Sequence, residues 1–164
     1  LEPGSPDMPF SISSGSGVIF GVTGGVMEAA LRKVADKSDF AMKEIEYSGI
    51  RGMDGVKKAE VTLGDKTLRL GVVNGLGNAD RLIELIESGE EHFDFVEVMA
   101  CPYGCIAGAG QPFSHKSDKA RRSQGMYKAD KSAVIKCSDE NPVVRELYEY
   151  GLLKGRAHEL LHTK

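Results

Sequence analysis

The feature that most restricts this chain is the stretch Glu97 to Pro112, which reads Glu-Val-Met-Ala-Cys-Pro-Tyr-Gly-Cys-Ile-Ala-Gly-Ala-Gly-Gln-Pro. Its glycines allow the backbone to approach a bulky object closely and to aim N–H groups at it, while Pro102 stiffens the turn. A short apolar run, Phe93 to Met99, leads directly into it and reads as a buried strand. Chemistry is thereby placed at the carboxyl end of a strand, where open α/β sheets build their sites. There are 20 glycines among the 164 residues, above the ~7% of an average chain, and their clustering marks special backbone turns rather than a linker.

Cys101 and Cys105 are separated by three residues. The object such a loop suits best is an iron–sulfur cluster, whose anionic sulfides accept backbone N–H bonds. Three other readings compete. Gly104 adds a residue to what would be a C-x-x-C dithiol motif, so short-loop disulfide chemistry is not supported. A zinc site needs a second ligand pair, and Cys137 is the one further cysteine. Two free thiols in a glycine-rich turn is the bland alternative, and Cys137 reads as a small, half-buried residue. A four-iron cluster takes four protein thiolates and this loop offers two, so the remainder must come from elsewhere.

A second glycine loop, Gly15 to Gly25, begins like a dinucleotide fingerprint but has Phe20 at the third glycine position, and no Gly-Lys-Ser/Thr follows for a P-loop. What survives is a helix N-terminus with backbone N–H groups suited to an anionic cofactor. Val26, Met27, Ala30, Leu31 and Val34 fall on one helical face, predicting a helix to about Ser38 capped by Thr23 or a nearby glycine. Ile45 and Tyr47 suggest a strand over 42–47. Val56 to Leu63 and Thr67 to Val73 flank Gly64-Asp65-Lys66 as a hairpin. Helices are expected over about 78–88, 116–130, 141–153 and 155–162. The fold class is α/β, a mostly parallel or mixed sheet flanked by helices, with 1–11 a disordered leader and 12–164 one lobe.

The net charge of −3 gives no global basic field and argues against nucleic acid or anionic membrane as partner. Locally, seven Lys and Arg between His115 and Cys137 face only Asp118 and Asp130, read as a solvated helix face or else a dock for an acidic partner. No run approaches the ~18 apolar residues of a membrane span, and no secretory signal opens the chain, so a cytoplasmic protein is expected.

The two loops together resemble the C-terminal part of the catalytic domain of iron-only (FeFe) hydrogenases. Phe20-Gly-Val-Thr-Gly-Gly-Val-Met-Glu-Ala-Ala-Leu-Arg32 is similar to the family's segment ahead of a buried helix. Glu97 to Pro112 is similar to its third cysteine signature, with Tyr103 and Ala109 at positions where the family has glycine. Glu140-Asn-Pro142, Leu147-Tyr148 and Ala157 to Thr163 resemble its ending. The resemblance implies one lobe of a two-lobed domain and reversible oxidation of hydrogen at a 4Fe-4S cubane linked to a two-iron subsite. It implies that Cys101 binds the cubane, that Cys105 binds it and bridges to the two-iron unit, that Met99 packs beside that unit, and that Phe20 and Gly21 line the pocket of its diatomic ligands. The family's first two cysteine signatures have no counterpart here. The implied partners are therefore the upstream half of the catalytic domain, with the remaining ligands, and a ferredoxin or NAD(P)H-linked electron-transfer subunit. The fragment alone is expected to be inactive and without the cofactor.

Two other functions compete. His158-Glu159-Leu160-Leu161-His162 fits H-E-x-x-H, the helical pair of a zinc protease, without a downstream third ligand in the sequence; the alternative is a packed terminal helix. His92 and His115 read as surface residues. Hydrogenase-like iron–sulfur proteins that act in cluster assembly or sensing form the second rival class; Met99 together with Cys105 favours the enzyme.

Overall fold

The structure, a computed structural model, describes residues 4–5, 12–35, 43, 45, 49–52 and 54–162. Its sheet has three strands in the order β1-β2-β3: β1 (Val56–Leu63) and β2 (Lys66–Asn74) form an antiparallel hairpin, and β3 (Phe95–Met99) runs parallel to β2. The hairpin closes with Leu63 opposite Lys66 across Gly64-Asp65, where Gly64 has φ 61°, the left-handed backbone such a short loop requires. The mixed sheet flanked by helices agrees with the expected α/β class.

Ahead of the sheet lie α1 (Gly15–Ile19) and α2 (Gly25–Val34); α3 (Leu76–Glu87) crosses from β2 to β3; α4 (Lys116–Ser132), α5 (Pro142–Glu149) and α6 (Ala157–Leu161) follow. Local chemistry sets most of these ends. Ser14 accepts from the Gly17 N–H at α1, and Asn141 accepts from the Val143 N–H with Pro142 in the first turn of α5. His115 opens α4 with a capping box to Asp118. At the other end of α4 the Lys136 ammonium donates to the carbonyls of Asp130 and Lys131, where a cation suits the helix dipole.

Helices cover both faces of the sheet. On one, Met27 and Leu31 of α2 pack with Ile45, Ile50, Val61, Leu70 and Val72. On the other, Ala79 and Leu82 of α3 pack with Val73, Phe93 and Val96. A third cluster, Ile19, Val22 and Ile106 against Met126 and Tyr127, joins α1 and α4 to the cysteine loop. Behind it lies a buried charge cluster: Arg32 donates to both carboxylate oxygens of Asp130 (2.7 and 2.8 Å) and to Glu28 (2.5 Å), and Arg51 also donates to Glu28.

Three expectations change. β3 is an edge strand rather than a fully buried one, with Phe95 and Val98 about half exposed, because β2 alone pairs with it among the described residues. α2 ends at Val34, the last residue of its apolar face and short of the expected Ser38, and α5 ends at Glu149, ahead of the apolar Leu152 and Leu153. The strand expected over 42–47 lies largely outside the described residues, and the two that are described, Lys43 and Ile45, have helical backbone. Among the described residues no helix is long and apolar enough to cross a membrane.

Candidate functional site

The site is built where the ends of β2 and β3 meet the turn before α2. Strand register brings Lys57, Val72 and Glu97 into one row across three strands, and Asn74 beside Met99 in the next. Because side chains alternate along strands, these residues share the face on which α2 packs. Three of them are buried polar groups, and each is hydrogen-bonded to the turn Gly21–Gly24 or its surroundings, as burial of polar groups demands.

Glu97 caps α2. Its carboxylate accepts from the N–H of Gly24 at 2.7 Å and of Met27 at 2.6 Å. Gly24, φ 91°, is the capping residue and offers no side chain of its own. This corrects the expectation of a helix N-terminus available to an anionic cofactor: an internal carboxylate already takes two of those donors. Asn74 links the two loops, donating to the Asp54 carbonyl (2.7 Å) and Thr23 Oγ1 (3.3 Å) and accepting from the Tyr103 N–H (3.0 Å).

Lys57 points inward and donates to the carbonyls of Ile50 (2.7 Å), Gly52 (3.0 Å) and Thr23 (3.2 Å). Burial pulls its ammonium down to about 8, against the opposing attraction of Glu97 and Asp54. The unfolded chain therefore holds more protons than the folded one between that value and the ordinary ~10.4 of lysine, so stability should rise as pH climbs through this window. Urea unfolding at about pH 7.5 and about pH 9.5 should show the rise, and Lys57→Met should flatten it. An equal slope in the variant would assign the titration to another group.

The cysteine loop leaves β3 at Ala100 and returns against the Gly21–Gly24 turn through the Ile106 N–H, which donates to the Gly21 carbonyl at 3.2 Å. Gly104, φ 81°, makes that approach possible: a Cβ there would lie 2.9 Å from Gly21 O and 3.1 Å from both Met99 Sδ and Thr23 N. Gly104→Ala should cost about 2–3 kcal/mol from left-handed strain and overpacking; a chemical-denaturation midpoint unchanged from wild type would contradict this close contact. Tyr103 has φ 70°, a conformation that favours glycine, which accounts for the glycine of the family pattern at this position. Its half-buried ring lies 5.0 Å from Lys119 Nζ. Arg122 donates to the carbonyls of Ile106 (2.9 Å) and Pro112 (3.2 Å), so part of the basic run on α4 ties down this loop.

Both Cys101 and Cys105 are exposed. Cys105 and Gly21 line one cavity of about 380 Å³ with Gln111, Arg122 and Met126, and Met99 packs beneath Gly104. Phe20 is turned elsewhere: it lines a separate groove of about 610 Å³ with Ala29, Ala30, Cys137, Val144 and Tyr148. The structure thus gathers Cys105, Gly21 and Met99 around one turn, with Cys101 on the same loop, and separates Phe20 from Cys105. Cys137 is buried, its thiol 3.7 Å from the Arg32 carbonyl. The donor set fits part of a four-iron cluster: two soft thiols on a glycine-supported loop could supply half the ligands. Among the described residues no group of three Cys, His, Asp or Glu is placed to hold a metal ion.

His158 and His162 stack with ring centroids 4.6 Å apart, both exposed. Arg156 donates to both Glu159 oxygens (2.9 and 3.2 Å) and holds that carboxyl below its usual range. The carboxylate a protease would use as base is therefore engaged by a neighbouring cation.

Fold and site define an α/β unit that presents a pair of exposed thiols on the loop that follows a parallel strand. The chain belongs to the iron-only hydrogenase family: residues 1–109 match the iron only hydrogenase large subunit, C-terminal domain, and residues 116–164 match the iron hydrogenase small subunit. It is 47% identical over 96% of its length to the NADP-reducing hydrogenase subunit HndD of Solidesulfovibrio fructosivorans and 38% identical over its whole length to iron hydrogenase 1 of Clostridium pasteurianum. It spans only 28% and 30% of those relatives. A solved [FeFe]-hydrogenase HydA1 variant from Chlamydomonas reinhardtii superposes with a TM-score of 0.68 at 38% identity, covering 99% of this chain and 49% of the other. More distantly, the chain is 32% identical over 88% of its length to mouse cytosolic iron-sulfur assembly component 3, covering 31% of that protein.

Glu97 stands inside the cysteine motif, whereas Lys57 and Asn74 belong to no motif in the sequence. The available signal was positional: each is a polar residue set among inward-facing apolar positions of a strand.

Proposed function

We propose that this chain forms the C-terminal lobe of an iron-only hydrogenase catalytic domain, which interconverts molecular hydrogen with protons and electrons. The observation that carries this reading is the pair of exposed thiols, Cys101 and Cys105, on a loop anchored by backbone contacts to the Gly21–Gly24 turn. Cys101 and Cys105 would hold the cubane as two of its thiolate ligands, and Cys105 would also hold the two-iron unit, a role suited to a soft sulfur ligand. When bound, the cluster supplies the electron reservoir and the iron at which hydrogen reacts. Met99 and Gly104 hold the Cys105 turn at a set height above the sheet, and Gly21 leaves room beside it. The other two thiolates come from the upstream half of the domain, in keeping with the small share of its relatives that the chain spans. A ferredoxin or an NAD(P)H-linked subunit serves as electron partner, the latter supported by the similarity to an NADP-reducing hydrogenase subunit.

The isolated chain should evolve no hydrogen with reduced viologen, because half of the cubane thiolates are missing. Joined to the upstream half and matured anaerobically, it should turn over. Hydrogen evolution by the chain alone would refute the half-site assignment. One observation favours a second reading, an iron–sulfur protein of cluster assembly or sensing: Tyr103 places a bulky ring on the cysteine loop. A joined domain that binds its cluster yet evolves no hydrogen would select that reading.

A further inference from the structure

The peptide group between Thr23 and Gly24 is held from both sides. Its carbonyl accepts from Lys57 Nζ at 3.2 Å and its N–H donates to Glu97 at 2.7 Å. Lys57 comes from β1 and Glu97 from β3, the two outer strands of the described sheet, and register aligns them in a single row through Val72. Both side chains are buried. An ammonium and a carboxylate that do not touch are thus joined through one polarised peptide, each charge favouring the hydrogen bond made by the other. The second Glu97 oxygen takes the Met27 N–H, so the clamp also sets the start of α2.

The position of this peptide matters to the thiols. Glu97 lies four residues before Cys101 on the same strand and loop. The loop it feeds returns to the clamped turn at Gly21, through Ile106 N–H, and closes on Thr23 with no room for a side chain at Gly104. β3 has hydrogen-bonded support in the plane of the sheet from β2; toward α2, the hydrogen bonds from β3 come from Glu97. We propose that Lys57 and Glu97 are paired positioning residues that clamp the Thr23–Gly24 peptide and so fix the Cys101–Cys105 loop against the Gly21–Gly24 turn. The use of that fixed geometry, holding two thiolates for a cluster, rests on the hydrogenase reading above; the clamp itself does not.

Glu97→Gln tests it in this chain with shape preserved, because one amide oxygen can replace one carboxylate oxygen while the amide NH₂ meets a backbone donor. Hydrogen exchange resolved by residue should accelerate about tenfold or more at Gly24 or Met27, the consequence of a buried donor left unmade. It should accelerate comparably at Ile106, across the loop contact, with the β1–β2 hairpin amides unchanged. Lys57→Met, which removes the ammonium from the other side, should reproduce the Ile106 effect and serves if Glu97→Gln does not fold. Acceleration confined to Gly24 and Met27 would reduce Glu97 to a helix cap and overturn the proposal, as would equal acceleration throughout the hairpin. In the joined, matured domain, Glu97→Gln should also shift the infrared stretching bands of the iron-bound diatomic ligands. Unshifted bands would overturn a positioning role at the cluster. A wild-type domain without any cluster would refute the hydrogenase reading, while the exchange pattern would still decide the clamp.

Discussion

Cys105→Ser in the joined catalytic domain should lower hydrogen evolution to background, while Cys137→Ser should leave it close to wild type. The two cysteines occupy opposite environments. Cys105 is exposed on the loop that closes over the Gly21–Gly24 turn, whereas Cys137 is buried with its thiol at the Arg32 carbonyl. A serine hydroxyl at 105 is a hard, weak donor for iron, and no neighbouring thiol on the loop can replace it except Cys101, which is itself required. Headspace gas chromatography measures the turnover, and the absorption of the reduced and oxidised cluster measures its retention. Loss of the cluster in Cys137→Ser but not in Cys101→Ser would refute the ligand assignment.

Asp130→Ala should destabilise the fold by about 3–5 kcal/mol, the scale for removing one partner of a buried, hydrogen-bonded ion pair. Asp130 is 4% exposed and receives a two-pronged hydrogen bond from Arg32, itself 7% exposed. Burial works against the Arg32 charge, but the hydrogen bonds and charges of Asp130 and Glu28 outweigh it and hold the guanidinium above its ordinary value. Without Asp130, the buried Arg32 guanidinium would lose its two-pronged partner and keep the Glu28 carboxylate, which Arg51 also engages. The same side chain fills the space beside Gly15, where a Cβ would come within 2.1 Å of it, so α1 and α4 would lose this contact while keeping the apolar one through Ile19 and Met126. Urea unfolding followed by far-UV circular dichroism gives the free energy directly. A loss below about 1 kcal/mol would place the pair among solvent-screened surface bridges.

Local pattern was enough to read the hairpin, the crossover helix before β3 and the cysteine loop, because alternation, helical periodicity and glycine–proline punctuation act over a few residues. The same local evidence misjudged β3. Its residues are apolar enough for a central strand, and only the pairing order leaves it at the edge of the described sheet. It also overextended α5, whose apolar residues continue to Leu153 past the point where the backbone departs from helix, and α2, whose apolar face stops with the helix at Val34.

Sequence alone determined the soft-ligand chemistry: two thiols, glycines that admit close approach, and a strand to carry them are all local properties of residues 93–112. The tertiary structure decided which groups hold those thiols in place. Lys57, Asn74 and Glu97 are separated by up to forty residues, and only strand register brings them to one face. Once there, the cost of burying them unpaired forces each onto the Gly21–Gly24 turn or the cysteine loop. Phe20 shows the converse: adjacent to Gly21 in sequence, it turns into the groove beside Cys137, because neighbours along a chain need not share a face once the backbone turns.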